Sequence, residues 1–201
     1  MTLKMVRPTS LWPAWLLASL LPWASAWAQE PGTCPLAGAG AGAASPQAAP
    51  VRVGQPAVDI QGTDATGARI TLARFKGQVI LLDVSAMWCV YCQEDTAPIQ
   101  SLYQTYGPKG LAVVTCLAED PNGAAVTLAG LRQWAGAYHL TMPVMNDASG
   151  TADGAAETAY VSVTGGFPTL VLIDREFKVQ YIEGGLDLEA VSARIKALLA
   201  G

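Results

Sequence analysis

The sequence predicts an α/β fold built on one central mixed β-sheet, with helices covering both faces. Two apolar runs, residues 79–84 and 111–116, stand on either side of a helical stretch and read as buried neighbouring strands joined by a crossover. A second pair of strands, 170–173 and 179–183, turns at 174–178 and leads into an amphipathic helix over 188–199. About 150 residues from Val51 onward carry this alternation, one domain's worth of chain with room for a sizeable core.

Taken in order, the chain starts with Lys4 and Arg7, then an apolar stretch from Leu11 to Trp23 broken by Pro13 and Pro22, then small residues at Ala24, Ser25, Ala26 and Ala28. This order predicts a secretory signal peptide over residues 1–28, cleaved after Ala28 or, as the next choice, after Ala26. The stretch is too short and too interrupted for a span of about 20 residues, which leaves an uncleaved membrane anchor as the alternative. Residues 29–50 read as a flexible linker, because 36–50 carry no charge and almost no bulky side chain and cannot bury a core. Cys34 in this segment raises lipidation as a second route to a membrane tether, although residues 31–33 lack the aliphatic-then-small pattern such processing needs. Residues 51–201 form the folded domain.

The chain holds 12 basic and 16 acidic side chains, a net charge of −4. Residues 1–28 contribute Lys4 and Arg7 and no acid, so without them ten bases against sixteen acids leave −6. An acidic domain with no basic block argues against nucleic acid as a partner.

Within the domain, residues 55–60 and 69–72 read as short strands around the turn 64–67, and the apolar strand 79–84 follows, interrupted only by Asp83. Residues 93–106 read as a helix ending near Gly107-Pro108, and 111–116 as a strand parallel to 79–84 through a right-handed crossover. A helix over 124–138, a short strand at 142–145 and a helix over 152–160 precede the final strand pair.

Trp88-Cys89-Val90-Tyr91-Cys92 lies where the first buried strand gives way to a helix. Two thiols at this spacing can close into a disulfide and open again. Cys89 would sit beside the unpaired N–H groups and the positive end of the helix dipole, which favour the ionised sulfur that attacks disulfides. This assigns Cys89 as nucleophile and Cys92, one turn further in, as the resolving thiol. A static disulfide and half of a zinc site are the other readings. Zinc would need two more ligands from Cys34, Cys116 and the single His139, none at paired spacing. Cys116, at the end of a buried strand, reads as a packed thiol, and Trp134, Tyr138 and His139 as core or surface filler.

The run from Leu82 to Cys92 resembles the active-site strand and loop of thioredoxin-fold proteins, and Gly166-Phe167-Pro168-Thr169 resembles their cis-proline segment. The extra helix and strand between Cys116 and Pro168 resemble the insertion of the secreted TlpA/ResA-like thiol–disulfide oxidoreductases, and the resemblance covers roughly residues 52–200. It implies a redox-active Cys89–Cys92 disulfide, a cis Pro168 beside it, and Phe167 and Trp88 facing the substrate. It also matches Asp83 to the buried acid under the second cysteine, where desolvation should raise its pKa and let it take the Cys92 proton. Glu94 and Asp95 resemble an acid that several relatives use to tune the site; an acid pair early in a helix also complements its dipole. Pro98 falls six residues after Cys92 where the family has five, which predicts a bulge or altered first turn and leaves the burial of Cys92 open.

The resemblance implies an enzyme without cofactor or metal, a periplasmic reductase of protein disulfides. Its clients would be oxidised secreted proteins such as apocytochromes c, and a membrane thiol reductant would supply its electrons. The alternatives are a copper carrier using the same dithiol, a thiol peroxidase and a disulfide isomerase. A peroxidase predicts Pro-x-x-x-Thr-x-x-Cys, which no cysteine here possesses.

Overall fold

A computed structural model describes residues 49–148 and 154–201 of the chain. The expected signal peptide, Cys34 and almost all of the expected linker lie outside the described residues. The described residues all belong to one compact unit.

A two-stranded antiparallel sheet, β1 (Gln61–Thr63) and β2 (Arg69–Thr71), leads in. The main sheet has five strands in the order β5-β4-β3-β6-β7, formed by β3 (Val79–Ala86), β4 (Leu111–Glu119), β5 (Val144–Asn146), β6 (Thr169–Ile173) and β7 (Val179–Gly184). Strands β3, β4 and β5 are parallel, while β6 runs antiparallel to β3 and β7 antiparallel to β6, so the sheet is mixed as the sequence predicts. Helix α1 (Val90–Tyr106) is the β3–β4 crossover, and α2 (Leu128–Ala137) leads to β5. A π-helical turn, Glu157–Val161, runs into the short α3 (Ser162–Thr164), and α4 (Leu188–Ala200) closes the chain.

Alternate side chains of the strands separate two cores. Val79, Leu81, Leu111, Val113, Leu170 and Leu172 pack against α1 and α4 through Ile99, Leu102, Val191 and Ile195. Ile80, Leu82, Val84, Val114, Cys116 and Val171 pack on the other side against Ile60, Leu72, Ala159 and Tyr160. That second face is covered by the leading segment and the 155–164 helical stretch. Asp83 and Ser85 therefore point to the α1 side, and Cys116 to the opposite side.

Several boundaries differ from the sequence expectation. The first strand lies at Gln61–Thr63 rather than 55–60, where Pro56 has no N–H for a ladder and makes only an isolated bridge to Lys178. The turn 64–67 is where it was expected, with Asp64 accepting from the Thr66 and Ala68 N–H groups. Helix α1 begins at Val90 rather than 93 and α2 at Leu128 rather than 124, where Thr127 caps the Gly130 N–H. The third helical stretch starts at residue 155 among the described residues. Pro98 sits inside an unbroken α1 with no bulge, and Cys92 is 1% exposed.

Candidate active site

Strand β3, the central strand, runs to one end of the sheet, where Met87 and Trp88 turn into α1. The turn is pinned from both sides: the Met87 N–H donates to Glu119 O at 2.9 Å, the Cys89 N–H to Ala86 O at 3.1 Å, and Gln93 Nε2 to Met87 O at 3.0 Å. A register shift between Ser85 and Ala86 ends regular pairing with β4 at this point.

Cys89 is the N-cap residue of α1. Its Sγ accepts from the Cys92 N–H at 3.3 Å, a donor aimed where a thiolate charge would sit. Across the gap, Phe167 O lies 3.6 Å from the same sulfur, and the Phe167–Pro168 peptide is cis. Thr169 and Thr164 hold this loop, both donating to Gly166 O. Cys89, Cys92 and Ala86 form a small buried cluster with Phe167 against it, and both cysteines are free thiols.

Around the dithiol, Trp88, Val90 and Tyr91 are exposed. Trp88 is fixed nonetheless, meeting the Phe167 ring edge-on at 6.0 Å and donating from Nε1 to Glu119 Oε2 at 2.5 Å. The structure thus brings Trp88, Cys89, Cys92, Phe167 and Pro168 together at one end of the sheet.

Asp83 lies deeper. Ser85 Oγ donates to its Oδ1 at 2.6 Å and Thr115 Oγ1 to its Oδ2 at 3.0 Å, Thr115 standing directly opposite on β4. Burial pushes the Asp83 carboxyl up to about 6, with the charge of Asp95 adding to the shift and the two hydroxyls opposing it. Burial likewise pushes the Cys92 thiol well up, reinforced by its hydrogen bond to Cys89, while the Ala86 N–H and the Ser85 hydroxyl favour its ionised form. Asp95, on α1, is also raised by burial, and its Oδ2 is buried without a hydrogen-bond partner. Cys116 is wholly buried in the core on the far face of the sheet.

Sequence reasoning did not single out Ser85, Thr115 or Glu119. Ser85 was accessible through spacing, because residues two apart on a strand share a face. Thr115 and Glu119 needed the β3–β4 register. His139 lies past the end of α2 with a left-handed backbone, φ 52°. Trp134 is buried with its ring 4.7 Å from Tyr138. Among the described residues no three His, Cys, Asp or Glu side chains converge as a metal set, and no helix is long and apolar enough to cross a membrane.

Comparison with known proteins gives concordant matches. The AhpC/TSA family profile matches residues 53–182. ResA, a thiol-disulfide oxidoreductase of Bacillus thuringiensis subsp. konkukian, is 27% identical over 149 residues, 74% of this chain and 79% of that protein. The thioredoxin-like protein YneN of Bacillus subtilis is 29% identical over 135 residues, 67% of this chain and 73% of that protein. The thioredoxin domain of a Bacteroides vulgatus thiol-disulfide oxidoreductase superposes with a TM-score of 0.62 at 20% identity, over 74% of this chain and 99% of that one, and shows the shared fold.

Proposed function

From the premise that this chain belongs to the AhpC/TSA family in its thioredoxin-like form, we propose that it is an exported thiol–disulfide oxidoreductase that reduces protein disulfides through Cys89 and Cys92. The observation that carries the reading is the placement of Cys89 Sγ between the Cys92 N–H and Phe167 O, at the mouth of a site whose second thiol is buried.

In this mechanism the Cys89 thiolate attacks one sulfur of a client disulfide. The client S–S bond breaks, one client thiolate leaves, and a Cys89–client disulfide forms. The Cys92 thiolate then attacks Cys89 Sγ, releasing the second client thiolate and closing the Cys89–Cys92 disulfide. Two electrons pass to the client, and a membrane thiol reductant restores the dithiol. Cis Pro168 has no N–H, which leaves the neighbouring main chain free to pair with an extended client strand beside Cys89. Trp88, Val90, Tyr91 and Phe167 supply the apolar ground on which that strand would rest. Residues 1–28 would export the domain and 29–50 would tether it, placing the exchange in the periplasm, with a membrane-anchored form as the alternative. Oxidised secreted proteins, apocytochromes c among them, are the client class.

The peroxidase reading loses support at the motif level. Three and seven residues before Cys89 stand Ala86 and Leu82, before Cys92 Cys89 and Ser85, and before Cys116 Val113 and Lys109, where threonine and proline would be needed.

Trapping tests the roles. Cys92→Ala should accumulate Cys89–client disulfides identifiable by mass spectrometry after nonreducing electrophoresis, and Cys89→Ala should trap nothing. If the two variants behave alike, the assignment of nucleophile and resolving thiol fails.

A further inference from the structure

We propose that Glu119 is a positioning residue of the exchange site: its carboxylate holds the exposed indole of Trp88 against Phe167, so that the mouth over Cys89 carries a preformed wall for an apolar residue beside the client cysteine. This deepens the exchange reading above and rests on it.

Trp88 immediately precedes the nucleophile and is 49% exposed, yet its polar atom and its ring are both engaged. Nε1 donates to Glu119 Oε2 at 2.5 Å, and the ring meets Phe167 edge-on, with 6.0 Å between centroids and 83° between planes. A large exposed side chain without such ties populates several rotamers. The main-chain oxygen of Phe167 lies 3.6 Å from Cys89 Sγ, so the indole joins the dithiol turn to the cis-proline loop beside the nucleophile.

Glu119 gives the indole a firm footing. It ends β4, and a bridge to Ala125 closes the turn after it. Within that turn the Asp120 N–H donates to Ala124 O at 2.7 Å, and the Asp120 carboxylate accepts from the Asn122 and Ala124 N–H groups. An indole N–H on a carboxylate is a charge-assisted bond, stronger than one to a neutral acceptor. The main chain beneath the ring does not depend on that carboxylate. Met87 N–H donates to the main-chain oxygen of Glu119, Met87 O accepts from Gln93 Nε2, and Cys89 N–H donates to Ala86 O. Removing the Glu119 carboxylate therefore frees the indole and leaves Cys89 where it is.

The consequence falls on the client. A strand that pairs with the main chain at cis Pro168 runs past the indole, and its apolar side chain packs on a ring that is already in place. With the ring free, binding would have to immobilise it, at a loss of about two- to tenfold in affinity for one side chain. Glu119 thus bears on client binding and on the residue next to the client cysteine, with no part in the sulfur chemistry.

Two disulfide-linked peptides of equal length are the probes, one with leucine and one with glycine on each side of the cysteine. The full chain carrying Cys34→Ser, fully reduced, is mixed with each over a range of concentrations near 1 M salt, where the charge of Glu119 is screened. Single-turnover release of the peptide thiol, followed by chromatography, gives a half-saturating concentration and a limiting rate. The parent should half-saturate with the leucine peptide at a several-fold lower concentration than with the glycine peptide. Glu119→Ala should raise that concentration for the leucine peptide by about two- to tenfold, with its limiting rate and the glycine peptide unaffected. Glu119→Gln, whose amide oxygen still accepts from the indole, should restore most of the preference. The Trp88 indole N–H resonance supplies an independent signature: it should move toward that of a solvated indole in Glu119→Ala and return in Glu119→Gln.

A limiting rate that falls while half-saturation stays put, or equal losses for the two peptides, means that Glu119 acts on the fold of the turn and overturns the proposal. An indole resonance indifferent to Glu119→Ala overturns it as well. Should Glu119→Ala not fold, Trp88→Phe keeps an apolar ring without the N–H and must lose the leucine preference; an unchanged preference refutes the clamp. A parent chain that reduces neither peptide would instead defeat the exchange reading itself, while the indole resonance still reports whether Glu119 holds the ring.

Discussion

A carboxyl group on the inner face of β3 prefers to keep its proton, and the fold carries that preference as a pH dependence. The Asp83 value of about 6 in the folded chain stands above its ordinary 3.8, so between those limits the folded state binds more protons than the unfolded one. Stability therefore falls as pH rises from about 4 to about 6 and stays lower above that. Roughly two units at about 1.4 kcal/mol each correspond to about 3 kcal/mol at neutral pH. Asp83→Asn should recover up to about that amount in urea unfolding at pH 7 and flatten the slope between pH 4 and 6. A variant as pH-dependent as the parent would place the effect on another group. Such a cost at neutral pH is characteristic of a group retained for chemistry rather than for folding. Asp83 was legible because an acid inside an apolar run is conspicuous. Ser85 was not, because a small hydroxyl there is ordinary packing until its partners are known.

At the scale of elements, the long apolar runs and the helices between them were legible, because period and length separate buried strands from amphipathic helices. The first strand of the leading hairpin lies several residues later than expected while its turn and second strand do not move, since a three-residue strand carries too little pattern and its position is fixed by docking. Gly62 shows how. It approaches β5 so closely that an added Cβ would fall inside the van der Waals radius of Asn146 O, while Asn146 Oδ1 accepts from the Thr63 N–H at 2.8 Å. Gly62→Ala must push β1 away from β5, and overpacking of this kind typically costs about 1–3 kcal/mol. The expected result is a lower urea midpoint with the disulfide-exchange kinetics of the folded protein unchanged, because Cys89 is held by the end of β3, the start of α1 and the Phe167 loop. Altered kinetics in the folded variant would mean that the hairpin supports the site. The Pro98 offset shows the opposite limit of sequence reading: a one-residue shift from the family spacing suggested a distorted helix, yet α1 absorbs the proline without a break.

For the molecule as a whole, charge is the property most directly tied to clients. Residues 29–201 carry sixteen acids against ten bases, and no lysine or arginine occurs between Lys76 and Lys109, the stretch that contains the dithiol, Glu94 and Asp95. Glu119 adds a carboxylate at the rim through its bond to Trp88. The apolar surface of Trp88, Val90 and Tyr91 is thus bordered by acids with no basic residue of its own segment to balance them. Such a field raises encounter rates with positively charged partners and slows negatively charged ones, without changing the chemistry at sulfur. Two disulfide-linked peptides of equal length, one with lysines and one with glutamates flanking the cysteine, separate the effect. At low ionic strength the lysine peptide should be reduced several-fold faster. The advantage should vanish near 1 M salt, where the screening length is about 3 Å. Replacing Glu94 and Glu119 by glutamine should remove most of the difference at low salt and leave the rates at high salt alike. Equal rates for both peptides at low salt would show that client choice rests on the apolar surface and the main-chain pairing alone.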